Sequence, residues 1–176
     1  MNFLSIDFST DIGSLFLKIK NRTFLKNLQN YPNNSDTLMN QILEFLKENN
    51  TTIENISEIY VNQGPGSFSG LRGSISTAKG ICLAKNISLY GYNSFLCCGI
   101  KYYNFPGPIC CILNFKGKFF MQKFNKNLEF NSTPRVVTIK ELIENFNEDF
   151  KVTTKNLLNN FDKEILNLKN LHIVNL

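Results

Sequence analysis

Apolar and polar positions alternate along the first thirty residues, and the runs 2–7, 14–20 and 23–28 read as three successive strands. Between the first two, Asp7-Phe8-Ser9-Thr10-Asp11-Ile12-Gly13 is polar and carries a glycine, so it reads as a turn. Asn30 to Ser35, with Pro32, is loop chemistry. The spacing then becomes helical from about Asp36 to Glu48, with Ser35 as N-cap. Its apolar positions are Leu38, Met39, Ile42, Leu43, Phe45 and Leu46. They cover an arc of roughly 160°, wider than the ~100° stripe of a surface helix buried on one side. Such a helix is expected to bury two flanks.

Residues 57–62 form the next strand, a glycine-rich loop occupies 64–70, a helix follows over 71–85, and a strand over 87–92. A meander followed by crossover units predicts a mixed α/β sheet of the ribonuclease H-like kind. A short helix over 95–103 precedes the break Pro106-Gly107-Pro108. Beyond it the pattern predicts a hairpin (109–114 and 117–124), a helix (138–146), a strand (151–154), a helix (156–168) and a strand (171–174). Two domains are expected, 1–95 and a smaller one over 96–176.

The helix over 71–85 has two unlike faces. Leu71, Ile75, Ala78 and Cys82 line one side and are expected against the sheet. Gly73, Thr77, Gly80 and Ala84 line the other, and all are small. Each mid-helix glycine costs about 1 kcal/mol against alanine, and the usual compensation is close approach by another backbone. A smooth face of this kind is expected to receive a second helix, which is the 36–48 segment, a partner's helix, or both.

A strand, a glycine-rich turn and a helix start also suit an anion. The run Gly64-Pro65-Gly66-Ser67-Phe68-Ser69-Gly70 fits neither specific phosphate motif, however. No Gly-Lys follows at the P-loop spacing, and the glycines fall as G-x-G-x-x-x-G rather than G-x-G-x-x-G. Phosphate binding and a tight turn fixed by Pro65 both remain open.

Composition narrows the chemistry. One histidine, His172, in an apolar terminal run, leaves no material for a Ser-His-Asp or Cys-His nucleophile or a two-His metal site. The five cysteines (Cys82, Cys97, Cys98, Cys110, Cys111) lack C-x-x-C spacing and read as buried thiols of a reducing compartment. The N-terminal residues show no secretory pattern and no run reaches membrane-span length, so a cytoplasmic location without a membrane role is expected. The net charge of +5 is unevenly placed: residues 59–128 hold eight basic residues and no carboxylate, while both flanks are mildly acidic. That asymmetry suits an acidic or polyanionic partner, with no RNA-binding sequence pattern to go with it.

The run from Gly64 to Gly80 (Gly-Pro-Gly-Ser-Phe-Ser-Gly-Leu-Arg72-Gly-Ser-Ile-Ser-Thr-Ala-Lys-Gly), preceded by Asp7-x-Ser9-Thr10, resembles the TsaB family, formerly YeaZ. These are the bacterial tRNA threonylcarbamoyladenosine biosynthesis proteins. The resemblance covers roughly residues 1–124 and implies an actin/Hsp70-like (ASKHA) fold of two ribonuclease H-like lobes, here with a reduced C-terminal lobe. It implies a non-catalytic scaffold, without cofactor or metal, that forms a heterodimer with TsaD. TsaD transfers the threonylcarbamoyl group to the adenosine next to the anticodon, and the ATPase TsaE joins as third component. The family's interface is a helical bundle of the first two helices, which carries Leu38, Ile42, Phe45, Gly73, Thr77, Gly80 and Ala84 into an expected partner surface. Gly64, Pro65, Gly66, Ser67, Phe68, Gly70 and Arg72 carry the family loop, and Asp7, Ser9 and Thr10 match a vestigial phosphate site. A homodimer through the same helices and an indirect tRNA contact are further expectations. The chain departs from the family at Asn34-Ser35, where His-Ser or His-Thr is usual, and at Asn114-Phe-Lys-Gly-Lys, which lacks acidic residues of the family's hairpin. It also ends short of the family's usual C-terminal helical region. The alternative is an ATP-binding phosphotransferase of the same superfamily, with Asp7 holding a metal; 176 residues leave little room for two nucleotide-clamping lobes.

Overall fold

The computed structural model describes residues 1–10, 12–29, 37–115, 117–146, 149–154 and 168–174. The expected N-cap Ser35, the Asn34-Ser35 departure and the helix over 156–167 lie outside them. The chain divides into two compact units, Met1–Asn93 and Ser94–Leu176.

The first unit is one five-stranded sheet with two helices. β1 (Phe3–Asp7), β2 (Ile12–Ile19) and β3 (Arg22–Gln29) form the antiparallel meander. β4 (Glu58–Asn62) pairs parallel with β1, and β5 (Ser88–Tyr92) parallel with β4, giving the order β3-β2-β1-β4-β5. The parallel pairs need crossovers; α1 (Leu38–Glu48) lies on the connection from β3 to β4, and α2 (Phe68–Lys85) on that from β4 to β5. Alternation sorts the strand side chains: Leu4, Ile6, Leu15, Leu17, Ile59 and Val61 point to the helices and are fully or almost fully buried. On the opposite face Phe3, Phe16, Tyr60 and Tyr90 pack ring against ring, at centroid spacings of 5.1 to 5.7 Å.

The second unit repeats this strand order. β6 (Ile109–Phe115), β7 (Lys118–Phe124) and β8 (Arg135–Val137) are antiparallel, while β9 (Phe150–Thr154) and β10 (Leu171–Val174) extend the other side in parallel, giving β10-β9-β6-β7-β8. β6 is buried on both faces, Cys111 and Leu113 towards α3 (Ser94–Gly99), and Cys110 and Ile112 towards α4 (Ile139–Asn145). Lys151 is fully buried, and its ammonium donates to the backbone carbonyls of Asp149 and Lys169. His172 is a strand residue whose ring packs 4.4 Å from that of Phe150. The short edge strand β8 follows Pro134 and has only three residues, too few to show an alternation in sequence.

All five cysteines are free thiols; Cys82, Cys98, Cys110 and Cys111 are buried and Cys97 is half-buried. Burial pushes the Cys110 thiol up to about 12. A hydrogen bond with Cys98, together with burial, raises that of Cys111. Because the thiolate is the reactive form, an aromatic disulfide reagent at neutral pH should titrate Cys97 alone in the folded protein and the other four only after unfolding. Rapid native reaction of Cys110 or Cys111 would contradict this packing.

Candidate functional site

The glycine-rich run is welded to the first turn. Asn62, 1% exposed at the end of β4, donates from Nδ2 to Asp7 Oδ2 (2.8 Å) and to Ser9 Oγ (3.2 Å), and its Oδ1 accepts from Gly64 N (2.8 Å). The other oxygen of Asp7 accepts from Ser9 N (2.8 Å), and Tyr92 donates to Asp7 Oδ2 at 3.3 Å. Ser67 N donates to the Ser9 carbonyl (2.7 Å). Two glycines are needed for this approach. Gly64 sits at φ +97°, in the left-handed region, and a Cβ on Gly66 would collide with the backbone and Cβ of Ser9. Both oxygens of Asp7 are thus engaged inside the protein, and Thr10 Oγ1 donates to the Ile12 carbonyl (2.8 Å). The three residues matched to a phosphate site stand together as a turn lock. Asn62, the centre of that lock, was missed by sequence reasoning; its only signal is an amide ending an apolar strand two residues before a glycine.

Ser67 caps α2 by accepting from Gly70 N (3.4 Å), so Phe68, Ser69 and Gly70 belong to the helix rather than to the loop. Phe68 is 76% exposed, and Arg72 is exposed. The helix ends at Asn86, in the left-handed conformation typical of such caps. Its core face is Gly70, Ser74, Ala78, Ile81 and Cys82. That face is turned from the one expected: Leu71 and Ile75 are half-buried, while Ser74 and Ile81 are inside. Ser74 meets the core because its Oγ donates to the Leu71 carbonyl (3.1 Å), which satisfies the hydroxyl locally.

The rotation leaves the small residues outward. Gly73 and Thr77 are half-buried, Gly80 and Ala84 exposed, and nothing lies within 4 Å of where a Gly80 Cβ would stand. On α1, Leu38, Ile42 and Phe45 are at most 2% exposed and belong to the unit's own core. These three expected interface residues therefore have no surface to offer. The apolar arc is wide because Met39 and Leu43, 38% and 45% exposed, continue it beyond the core edge. Met39 and Leu43 from α1, with Thr77, Gly80, Ile81 and Ala84 from α2, line an apolar groove of about 650 Å³. Leu83, 85% exposed, extends the apolar surface of α2. Lys85 borders the groove and pairs with Glu54 at 2.7 Å; its ammonium holds the Glu54 carboxyl at about 2. Both partners are exposed, so the pair adds little to stability.

Among the described residues no three His, Cys, Asp or Glu side chains are grouped to hold a metal ion, and no helix is long and apolar enough to cross a membrane.

The groove, and Asn62 of the lock, lie within a stretch that a known family shares. The family model of TsaD, tRNA N6-adenosine threonylcarbamoyltransferase, matches residues 31–113. The tRNA threonylcarbamoyladenosine biosynthesis protein TsaB of Buchnera aphidicola subsp. Baizongia pistaciae is 38% identical over 86 residues. Over these stretches the chain is similar to the TsaD family model and to that TsaB protein. That alignment spans 48% of this chain and 38% of the Buchnera protein's length. YeaZ from Pseudomonas aeruginosa superposes with a TM-score of 0.65 at 15% identity, over 77% of this chain and 67% of that one. An uncharacterized protein with similarity to the peptidase YeaZ from Pseudomonas aeruginosa superposes at 0.71 and 14% identity, over 87% and 74%. At these identities the two structures speak for the fold, and the architecture is the ribonuclease H-like, ASKHA-type one that the sequence led to expect.

Proposed function

We propose that the chain is a non-catalytic subunit that scaffolds a TsaD protein during threonylcarbamoylation of the tRNA adenosine next to the anticodon. TsaE is the third component, and the setting is the cytoplasm. One observation carries the reading: α1 and α2 leave an apolar groove open to solvent, floored by small residues, in the stretch that the TsaD family model matches. Contiguous apolar surface of this kind marks an interaction site rather than a reaction centre. The partner surface is Met39, Leu43, Thr77, Gly80, Leu83 and Ala84, with Gly73 beside it. The lock at Asp7, Ser9 and Asn62 positions the start of α2, and its hydrogen bonds are directed inward rather than to a ligand.

Co-purification tests the reading. The chain, tagged and expressed with the TsaD protein of its own genome, should elute as a one-to-one complex; a folded chain showing no association at micromolar concentration would sink the proposal. A graded variant sharpens it. Gly80→Ala should raise stability by about 1 kcal/mol, since alanine is the better helix former and the added methyl enters open space. The same methyl should weaken the complex by roughly tenfold, through lost close approach of the partner helix. Equal affinity in both forms would place the contact elsewhere.

A further inference from the structure

The sheet of the first unit has two unlike faces. α1 and α2 both pack over the face of Leu4, Ile6, Ile59 and Val61. On the opposite face Phe3, Phe16, Lys18, Glu58 and Tyr60 are half-buried, while Tyr90 is 46% and Leu25 65% exposed. β1, β4 and β5 run parallel, and parallel strands are ordinarily buried on both faces. The pairing register arranges this open face in rows. Lys18, Phe3 and Glu58 stand side by side in one row, on β2, β1 and β4. In the next, Leu25 and Phe16 lie on one flank of β1, and Tyr60 and Tyr90 on the other. Lys18 forms no ion pair among the described residues, and Glu58 accepts from the Tyr60 hydroxyl at 2.9 Å.

β1 is the central strand of the five, with two strands on either side. A two-fold axis along β1, between two stacked sheets, sets β2 of one copy over β4 of the other and β3 over β5. Row for row, Lys18 then faces Glu58, Phe16 faces Tyr60 and Leu25 faces Tyr90, while Phe3 meets its own copy on the axis. We infer that this open sheet face receives the same face of a second copy of the chain. An isologous interface requires self-complementarity, and this surface has it in charge and in apolar character. Stacked sheets lie ~10 Å apart, a gap that a lysine and a glutamate bridge from opposite sides. The twist of aligned sheets displaces the outer strands most and keeps β2, β1 and β4 nearest to register. The face measures roughly 24 Å across the strands and 17 Å along them. Two such faces bury on the order of 1,000 Å², the low end for specific association. The dimer is therefore weak, with a Kd of about 10–100 µM. Because α1 and α2 occupy the other side of the sheet, this association goes beyond the partner reading and leaves the groove free.

Sedimentation equilibrium of Thr77→Trp, whose groove is blocked, isolates this face. That chain should pass from monomer to dimer between about 5 and 500 µM. Adding Lys18→Glu or Glu58→Lys should weaken the dimer at least about tenfold, because each sets like charges face to face twice. Mixing the two charge variants should restore dimerisation to the parent level, since every facing pair is then opposite in sign. Leu25→Asp, at a residue 65% exposed and so without cost to the fold, should also weaken the dimer by about tenfold. It carries the test if circular dichroism finds either charge variant misfolded. A folded Thr77→Trp chain still monomeric at about 500 µM would overturn the proposal. So would charge reversals or Leu25→Asp without effect, or a mixture no tighter than its parts. None of these results bears on the groove.

Discussion

Thr77→Trp should cost the chain its partner and leave its fold intact. Thr77 sits on the groove floor, half-buried on α2, and the groove of about 650 Å³ has room for an indole in the free chain. Packing is therefore not disturbed from within, and the thermal midpoint should stay within about 3 °C of wild type. On the proposed reading the partner helix takes the same volume in the complex. A large side chain at the centre of an interface pushes the two backbones apart and exposes the surrounding apolar surface, so affinity should fall by at least about a hundredfold. Size-exclusion chromatography of the mixed proteins reads the first effect, and circular dichroism of the variant alone reads the second. Unchanged binding would show that α2 offers its small face to solvent rather than to a partner.

Asn62→Ala should have the largest effect on stability, about 2–4 kcal/mol in a urea titration. Alanine would leave the Gly64 N–H without its acceptor and Asp7 Oδ2 with Tyr92 alone. Asn62→Asp separates geometry from chemistry. A carboxylate there can still accept from Gly64 N but faces Asp7 across 2.8 Å. Two carboxylates at that distance share one raised pKa. With the folded value above the unfolded one, the protonated pair is stabilised at low pH, and that stability is lost as pH rises through the raised value. The aspartate variant should thus be closer to wild type near pH 4 than near pH 7. If the alanine variant lies within about 0.5 kcal/mol of wild type, the loop does not depend on the lock.

The element order of the first unit was legible because each strand there runs over five or more residues and each crossover has room for a helix. β8 was not, since three residues after a proline carry no period. The two-flanked character of α1 could be read from its apolar arc, but which flank faced outward could not. A helical wheel gives angles without saying where the sheet lies, so Leu38, Ile42 and Phe45 were expected at the surface that Met39 and Leu43 occupy. The rotation of α2 has a similar origin. Ser74 reads as polar and therefore exposed, yet its hydroxyl is satisfied by its own helix and the residue is fully buried. The lock at Asn62 joins residues 53 and 55 positions apart, a pairing that exists only once β1 and β4 are side by side.

The claim on which the rest depends is that the α1–α2 groove is a protein-binding surface in a chain without catalysis of its own. Titration calorimetry of the wild-type chain and Thr77→Trp against the TsaD protein of the same genome tests it most directly. The account predicts saturable one-to-one binding by the wild type, lost in Thr77→Trp. Equal binding by both, or no binding by a folded wild type, would contradict it.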